Sequence, residues 1–226
     1  MNDKRCVILF VKFPEKGRVK SRLARQLGED AALSLYENMV LDAIDLLKSG
    51  RFSFRICFTP PDARVRMAGW LGREHDYLPQ TGGDLGDRMD EAFARVFSTT
   101  VEAALLIGSD IPGLTTGIIE EAFASLMTND AVIGPADDGG YYLIGFRKNT
   151  FTPGIFHDMV WSTNTVFRMT MDKLHDASRK VHILSELTDV DTIEDLKTLL
   201  SQVRGPASGP SRTRSFLEQH LRGTLT

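Results

Sequence analysis

The chain has 226 residues, of which 42% are hydrophobic and 25% charged, and its formal net charge is −3. This length suits one full-sized core, so we expect a single domain over residues 1–203, and the near-neutral charge argues against a nucleic-acid-binding protein. No apolar run approaches the roughly 18 residues of a membrane span and no signal-peptide pattern is present, so we expect a cytoplasmic protein.

Apolar runs and helix-length stretches alternate along the chain. Continuous apolar runs predict buried strands at 5–12, 52–59, 74–80, 103–110 and 180–185. Apolar side chains at three- and four-residue spacing predict helices at 30–48, 63–71, 87–97, 115–127, 163–174 and 192–203. Two further runs, 131–135 and 141–146, are joined by an acidic, glycine-rich turn, which indicates a hairpin. The pattern predicts an α/β fold: a three-layer Rossmann-like sandwich with a mainly parallel sheet and one antiparallel element.

The composition changes after Val203. The stretch RGPASGPSRTR is rich in Gly, Pro, Ser and Arg, and residues 204–226 carry four arginines against one glutamate. This composition predicts a flexible, basic C-terminal tail over 204–226. Within it, SFLEQHL is compatible with a short docking helix.

The first predicted loop, in the stretch FVKFPEKGRVKSRL, is strongly basic. Ligands of open α/β sheets bind beyond the carboxyl ends of the strands, and this loop follows the first strand. Proline and glycine suit a turn close to a ligand, basic side chains can reach an anion, and a serine cap would add free N–H groups. The GRVKS segment is not a Walker A motif, because Val19 precedes the lysine where that motif needs glycine. The candidate phosphate-binding residues are Lys12, Pro14, Gly17, Lys20, Ser21 and Arg22. The alternative is a solvated basic turn.

A second loop, QTGGDLGDRM, is rich in glycine and precedes a predicted helix. Its glycines allow the backbone to approach a flat group or a phosphate closely. The candidate nucleotide-binding residues here are Gly82, Gly83, Asp84, Leu85, Gly86 and Arg88. The alternative is an ordinary turn in which Asp84 caps the helix.

Carboxylates follow two later strands. Asp110 stands at the end of a buried strand, where it can hold a divalent cation that also bridges substrate phosphates, or simply serve a turn. Asp189 and Asp191 precede the helix at 192–203. Asp191 can ligate the same metal, or cap the helix with Glu194 as its capping-box partner.

The hairpin turn also carries two acids, Asp137 and Asp138. Neighbouring residues in an extended chain point apart, so these two are not expected to form an acid/base pair with each other. One of them can bind a hydroxyl, accept a proton or approach the metal. The alternative is a plain turn of the DDGG kind.

Taken together, VKFPEKGRVKSRL, GGDLGDRM, GSDIPGL, PADDGGYYLIG and DVDTIEDL resemble a bacterial family of GT-A-type glycosyltransferases, within the nucleotide-diphospho-sugar transferase superfamily. The resemblance covers about residues 5–200. More distantly, the set is similar to 2-phospho-L-lactate guanylyltransferase and the molybdenum cofactor guanylyltransferase.

The resemblance implies a role for each loop. The first loop would hold the nucleotide phosphates, the second would lie near the nucleobase and ribose, and Asp110 would bind Mg²⁺ or Mn²⁺ with Asp189 or, as we prefer, Asp191. Acceptor recognition would fall around Asp138, Gly139, Gly140, Tyr141, Trp161 and Ser162. One departure concerns the metal: GT-A enzymes carry a DxD signature, whereas this strand ends in Ser109, Asp110, Ile111 and Pro112.

Three functions follow as hypotheses. The first is metal-dependent transfer of a sugar from a nucleotide-diphosphate sugar to a small-molecule acceptor, with Lys20, Asp110 and Asp138 as the catalytic residues. The second is nucleotidyl transfer from an NTP to a phosphorylated acceptor, with release of pyrophosphate. The third is a nucleotide-binding module without catalysis. The expected partners are the nucleotide or nucleotide-sugar and the acceptor, and a homodimer is the assembly we consider.

Overall fold

The structure is a computed structural model that describes residues 4–203 and 211–220. In these residues, seven strands form one sheet: β1 Arg5–Lys12, β2 Phe54–Thr59, β3 Asp76–Pro79, β4 Ala103–Ile107, β5 Ala131–Pro135, β6 Tyr141–Arg147 and β7 Val181–Ile183. Their order is β3-β2-β1-β4-β6-β5-β7. Among the described strands, β6 alone runs antiparallel to its neighbours. The predicted hairpin and mainly parallel sheet are thus confirmed.

The described ranges contain eight α-helices: α1 Ser21–Leu27, α2 Glu29–Ser49, α3 Arg64–Leu71, α4 Leu85–Phe97, α5 Thr116–Ser125, α6 Val166–Asp176, α7 Ile193–Val203 and α8 Arg212–His220. A short 3-10 helix, Pro61–Ala63, precedes α3. The α4 helix begins two residues earlier than predicted, and α1 is a separate short helix in front of the predicted α2. No helix within the described residues is long and apolar enough to cross a bilayer.

Helices cover both faces of the sheet, which confirms the predicted three-layer sandwich. Alternate residues of β1 show why: Val7 and Leu9 pack into the core beneath α2, α3, α5 and α7, whereas Cys6 and Ile8 pack into the core beneath α4 and α6. All four are at most 1% exposed. A strand that is buried on both faces has no side that faces solvent, so polar residues need not alternate with apolar ones and the sequence is continuously apolar. Cys6 and Cys57 are both buried, and neither forms a disulfide within the described residues.

The predicted tail is described only for residues 211–220. There, α8 packs on α2, and Phe216 and Leu217 join the main core. The Asp42 carboxylate of α2 accepts hydrogen bonds from the backbone N–H groups of Arg212 (2.9 Å) and Thr213 (2.8 Å). This side chain therefore caps the N-terminus of α8 from a neighbouring helix. The stretches 204–210 and 221–226 lie outside the described residues.

The sheet order places one crevice at its middle. The chain leaves β1 towards β2 on one side, and later returns to β4 on the other side of β1. The connections therefore diverge between β1 and β4, and this switch point is where open α/β sheets leave room for a ligand. The loops that follow both strands border the crevice.

Candidate functional site

A cleft of about 500 Å³ lies at this switch point. Four polar loops contribute to its walls, namely those after β1 and β4, the β5–β6 turn, and the segment between β7 and α7, and they are joined by residues from α4 and from the segment between β6 and α6. All four meet at one edge of the sheet, since β1, β4, β5 and β7 end there and the antiparallel β6 begins there. The polar loops that the sequence singled out are thus neighbours in space.

Lys20 lies at the bottom of the cleft between two carboxylates. Its Nζ donates to Asp110 Oδ2 at 2.8 Å and to Asp191 Oδ1 at 2.6 Å, and only 4% of the side chain is exposed. The backbone of Lys20 is left-handed, with φ 46° and ψ 45°, immediately before α1. A non-glycine residue in this conformation is strained, so the surrounding contacts must hold it there.

The charges of this triad stabilise one another. Burial alone would lower the pKa of Lys20, but the Asp110 and Asp191 carboxylates outweigh it and raise that pKa overall. Burial likewise acts to raise the pKa of Asp110, and the Lys20 ammonium outweighs it and lowers that pKa. Lys20 is therefore charged, and Asp110 is ionised, at neutral pH.

Asp191 is available for this contact because another residue caps α7. Asp195 Oδ2 accepts hydrogen bonds from the backbone N–H groups of Asp191 (2.9 Å) and Thr192 (2.6 Å), while Thr192 Oγ1 accepts one from Asp195 N at 3.3 Å. This is a reciprocal capping box built from Thr192 and Asp195. The alternative in which Asp191 caps the helix with Glu194 is wrong, because its carboxylate is directed at Lys20.

A second acidic pair lines the cleft, and one of its members, Asp189, interacts electrostatically with all three residues of the triad. Asp138 and Asp189 both line it, and Gly140 N donates to Asp138 Oδ1 at 2.7 Å. Burial, then repulsion from Asp138, Asp191 and Asp110, raises the pKa of Asp189 to about 7. Asp137 is exposed and does not line the cleft, so only the second acid of the turn is directed inwards.

The loop after β1 is held in place by its own contacts. Tyr36 Oη accepts from Lys12 N at 2.9 Å and donates to Lys12 O at 2.8 Å, while Lys12 Nζ donates to Arg18 O at 2.6 Å. Farther along, Arg66 of α3 pairs with Glu15 at 2.7 Å and lies 4.4 Å from the centre of the Phe13 ring. These contacts fix the loop before any ligand binds.

Not every basic-loop residue reaches the cleft. Lys12 and Lys20 line it, whereas Pro14, Gly17, Ser21 and Arg22 do not. Ser21 is the first residue of α1, preceded by Lys20, so the expectation that Ser21 caps the helix is wrong. Arg22 is 67% exposed and 4.0 Å from Asp191.

The second glycine-rich loop serves mainly the start of α4. Asp84 Oδ1 accepts from Asp87 N at 2.9 Å, and Asp87 Oδ2 accepts from Gly83 N at 3.0 Å. Asp84 is therefore a helix cap, the alternative that its spacing left open. Of the six candidates in this loop, Leu85 lines the cleft, and Gly82, Gly83, Asp84, Gly86 and Arg88 do not.

The predicted acceptor residues surround the far side of the cleft. Gly140, Tyr141, Trp161 and Ser162 line it. Gly139 stands behind the turn with φ +87°, where an added Cβ would lie 2.3 Å from the Asn164 carbonyl oxygen. This position requires glycine for backbone reasons.

Sequence reasoning missed several polar lining residues. The spacing of Tyr36 predicts only that it belongs to the apolar face of α2. Nothing in the sequence indicates that its hydroxyl group binds the backbone of Lys12. Gln80 is buried at the end of β3, where its Nε2 donates to Cys57 O at 2.8 Å. Ser109 is also buried and stands next to Asp110. The signal for Ser109 is its place in the GSD stretch, directly before the carboxylate at the end of β4.

Asp110 and Asp191 offer the oxygen ligands that Mg²⁺ and Mn²⁺ prefer. Among the described residues, no three or more His, Cys, Asp or Glu side chains are grouped to hold a metal ion. Mg²⁺ at nucleotide sites is usually held by one or two carboxylates and completed by substrate phosphates and water. The Lys20 ammonium pairs with one oxygen of each carboxylate, so a metal ion would be held by the remaining oxygens of Asp110 and Asp191.

Comparisons with known proteins agree with this geometry. The profile of a family described as "Uncharacterized protein conserved in bacteria (DUF2064)" matches residues 41–163. No curated protein sequence matches the chain. A solved structure of a candidate nucleotide-diphospho-sugar transferase from Desulfovibrio desulfuricans G20 is 37% identical, covering 96% of this chain and 95% of its own, with a TM-score of 0.92.

Two more distant structures share the fold. The inositol-1-phosphate CTP transferase of T. maritima is 13% identical, with a TM-score of 0.54, covering 92% of this chain and 98% of its own. Rv0371c of Mycobacterium tuberculosis H37Rv, solved in complex with manganese, is 17% identical, with a TM-score of 0.53, covering 87% of this chain and 97% of its own. At these identities the likeness concerns the fold alone.

Proposed function

The chain belongs to the bacterial DUF2064 family, and we propose that it is a nucleotide-dependent transferase that moves a sugar from a nucleotide-diphospho-sugar to a small-molecule acceptor with Mg²⁺ or Mn²⁺. The observation that carries the proposal is the buried ammonium of Lys20, held between Asp110 and Asp191 at the sheet's switch point. The similarity to a candidate nucleotide-diphospho-sugar transferase supports the donor class.

Lys20 would act on the leaving group. In glycosyl transfer, the bond between the anomeric carbon and the diphosphate oxygen breaks, and its electron pair stays on the phosphate. A fixed, poorly hydrated ammonium stabilises that developing charge without reorganising. Bound divalent metal supplies additional positive charge to the diphosphate. Asp110 and Asp191 would hold the metal, and Lys12 would extend the positive field along the loop.

Asp138 would act on the acceptor. Its Oδ1 is oriented by Gly140 N at 2.7 Å, which leaves Oδ2 to accept a hydrogen bond from an acceptor hydroxyl. As the acceptor oxygen bonds to the anomeric carbon, its proton passes to this carboxylate. Asp189 lines the same wall, and because its pKa is raised to about 7 its carboxyl is only partly ionised at neutral pH.

The test is a product assay with two donor pools. The protein is incubated with mixed nucleotide-sugars, or with mixed NTPs, together with Mg²⁺ or Mn²⁺ and an acceptor mixture. We expect acceptor-dependent release of a nucleoside diphosphate from the first pool. Lys20→Met should also weaken nucleoside diphosphate binding by about 1.5–3 kcal/mol, the scale of a charge-assisted hydrogen bond. Arg22→Met, a change in an exposed cation of the same loop, is the matched control. Acceptor-dependent release of pyrophosphate from the NTP pool would instead establish the nucleotidyl-transfer alternative.

That alternative has one observation in its favour. Lys12, Arg18 and Lys20 all line the cleft from a single loop, a cation density that suits a triphosphate as well as a diphosphate. The fold is shared with a CTP transferase, which makes such chemistry compatible with the scaffold. A binding module without catalysis is tested more cheaply: nucleotide would raise the Tm, whereas metal would add nothing and Asp110→Asn would change neither binding nor turnover.

A further inference from the structure

The cleft is lined by three cations and four acidic side chains, and two of the acids, Asp110 and Asp191, pair with Lys20. The cations that line it, Lys12, Arg18 and Lys20, all come from the loop after β1. We define the acceptor half as the wall formed by Leu85, Met89, Asp138, Tyr141, Trp161 and Asp189. Within the described residues that line the cleft, this wall contains two carboxylates and no Lys, Arg or His. A phosphate bound there would meet like charge and no counter-charge.

The rest of the acceptor half is apolar and aromatic. Leu85 is 41% exposed although it is a large hydrophobic residue, and it shares the wall with Met89, Tyr141 and the Trp161 ring. Tyr141 Oη lies against Met89 Sδ at 3.9 Å. Such a surface removes apolar area of a ligand from water, and aromatic rings are the usual lining of small-molecule pockets. The acceptor is therefore expected to present an apolar face.

Trp161 holds an unused hydrogen-bond donor in this wall. Its Nε1 is buried and has no partner within the described part of the chain. The ring is packed tightly: a Cβ on Gly86 would come within 3.0 Å of Trp161 Cζ2. The next residue, Ser162, lines the cleft with φ 63°, a strained backbone for a serine. A buried indole N–H without a partner is costly, so the tight packing of the ring, and not a hydrogen bond of the indole, holds Trp161 in this wall.

We propose that the acceptor half binds an uncharged molecule that combines a hydroxyl group with an apolar face, and that it rejects phosphorylated acceptors. The hydroxyl bonds to Asp138, and the apolar face covers Tyr141, Leu85 and the Trp161 ring. The inference rests on the proposed function in that the bound molecule is the sugar acceptor. It also separates this chain from a transferase that acts on a sugar phosphate, because such an acceptor needs a cation where this wall has carboxylates.

A binding assay tests the inference without turnover. The chain has two tryptophans, so a Trp70→Phe variant reports through Trp161 alone. Two probes share one chromophore: 4-nitrophenyl β-D-glucopyranoside is uncharged, and 4-nitrophenyl phosphate is anionic. Both are titrated with Mg²⁺ and inorganic pyrophosphate present to occupy the basic half, with free N-acetyl-tryptophanamide correcting for light absorption. A Trp161→Phe chain, which reports through Trp70, controls for quenching elsewhere.

We expect the glucoside to quench Trp161 saturably and to bind at least tenfold more tightly than the phosphate. Asp138→Asn should improve binding of the phosphate probe at least threefold, because it removes one of the two repelling carboxylates. Any one of three results overturns the inference. The phosphate probe binds as tightly as the glucoside or more tightly, the glucoside gives no saturable quenching, or Asp138→Asn leaves binding of the phosphate probe unchanged. Calorimetry with nucleoside diphosphates distinguishes this inference from the proposed function. If no nucleoside diphosphate binds while the glucoside still quenches Trp161, only the proposed donor class is refuted.

Discussion

Replacing Lys20 by methionine tests whether the central triad is an ion cluster that the fold depends on. Methionine keeps much of the side-chain volume but leaves Asp110 and Asp191 facing each other without their counter-charge. Removing one partner of a fully buried pair costs about 3–5 kcal/mol. Here the two carboxylates are 33% and 41% exposed, so water screens part of the remaining repulsion. We therefore expect a loss of about 2–3 kcal/mol in the free energy of unfolding, and a Tm lower by roughly 4–12 °C for a chain of this size.

Chemical denaturation at several pH values provides the measurement. Lys20 lowers the pKa of Asp110 in the folded protein, so its stabilising effect is present above the unfolded pKa and is lost as the pH falls through the folded value. The difference in the free energy of unfolding between wild type and Lys20→Met should accordingly narrow as the pH falls below about 4, where protonation of the carboxylates removes the repulsion. Arg22→Met should change stability by less than about 0.5 kcal/mol, since that side chain is exposed. A Lys20→Met penalty that is absent, or that does not depend on pH, would refute the ion-cluster account.

Three further changes test other parts of the fold. Asp42→Ala removes the cap on the N-terminus of α8 and should cost about 1 kcal/mol by urea denaturation, and an unchanged midpoint would argue against that cap. Gly139→Ala should lower the free energy of unfolding by about 2 kcal/mol or more, because the left-handed backbone is strained for alanine and the added Cβ lies 2.3 Å from a backbone oxygen. Gly154 has a similar left-handed backbone, but an added Cβ there has no contact under 3.4 Å, so Gly154→Ala should cost only about 1 kcal/mol. The pKa of Asp130 is lowered, chiefly by the hydrogen bond from the Lys180 backbone N–H. Asp130→Asn should therefore lower the free energy of unfolding by about 1.5 kcal/mol at pH 7, and by progressively less below about pH 4. A loss of stability that does not depend on pH would contradict this expectation.

The strands were predictable because their physics is local. The run at residues 5–12 is apolar on both faces, and β1 occupies those residues because both faces are covered by helices. Helix ends were less certain because several residues compete for the capping position. Ser21 resembled a cap, yet the chain turns through a left-handed Lys20 and begins α1 at Ser21 itself. No propensity of lysine predicts that conformation, which depends on the buried contacts of its ammonium group.

The candidate site was predictable as a set of loops, but its internal contacts were not. The order of strands and loops was enough to predict that the loops carrying Lys20 and Asp110 border one site, since both follow strands that flank the switch point. Whether Asp189 or Asp191 reaches the lysine could not be decided, because the two lie two residues apart before the same helix. The choice depends on Asp195, which caps α7 in place of Asp191 and leaves the Asp191 carboxylate for Lys20.

The antiparallel β6 explains why the acceptor half exists. In a wholly parallel sheet, a crossover helix would separate the end of β5 from the start of the next strand, and only strand ends would supply loops to the cleft. Because β6 returns directly beside β5, the tight turn that contains Asp138 and Gly140 lies at the ligand edge, and Tyr141 begins its strand there. Next to it, β7 ends at the same edge and delivers Asp189. A single reversal of strand direction thus brings Asp138 and Tyr141 to the edge where the basic loop lies, and under the proposed function the acceptor would contact this wall while the donor contacts the loop.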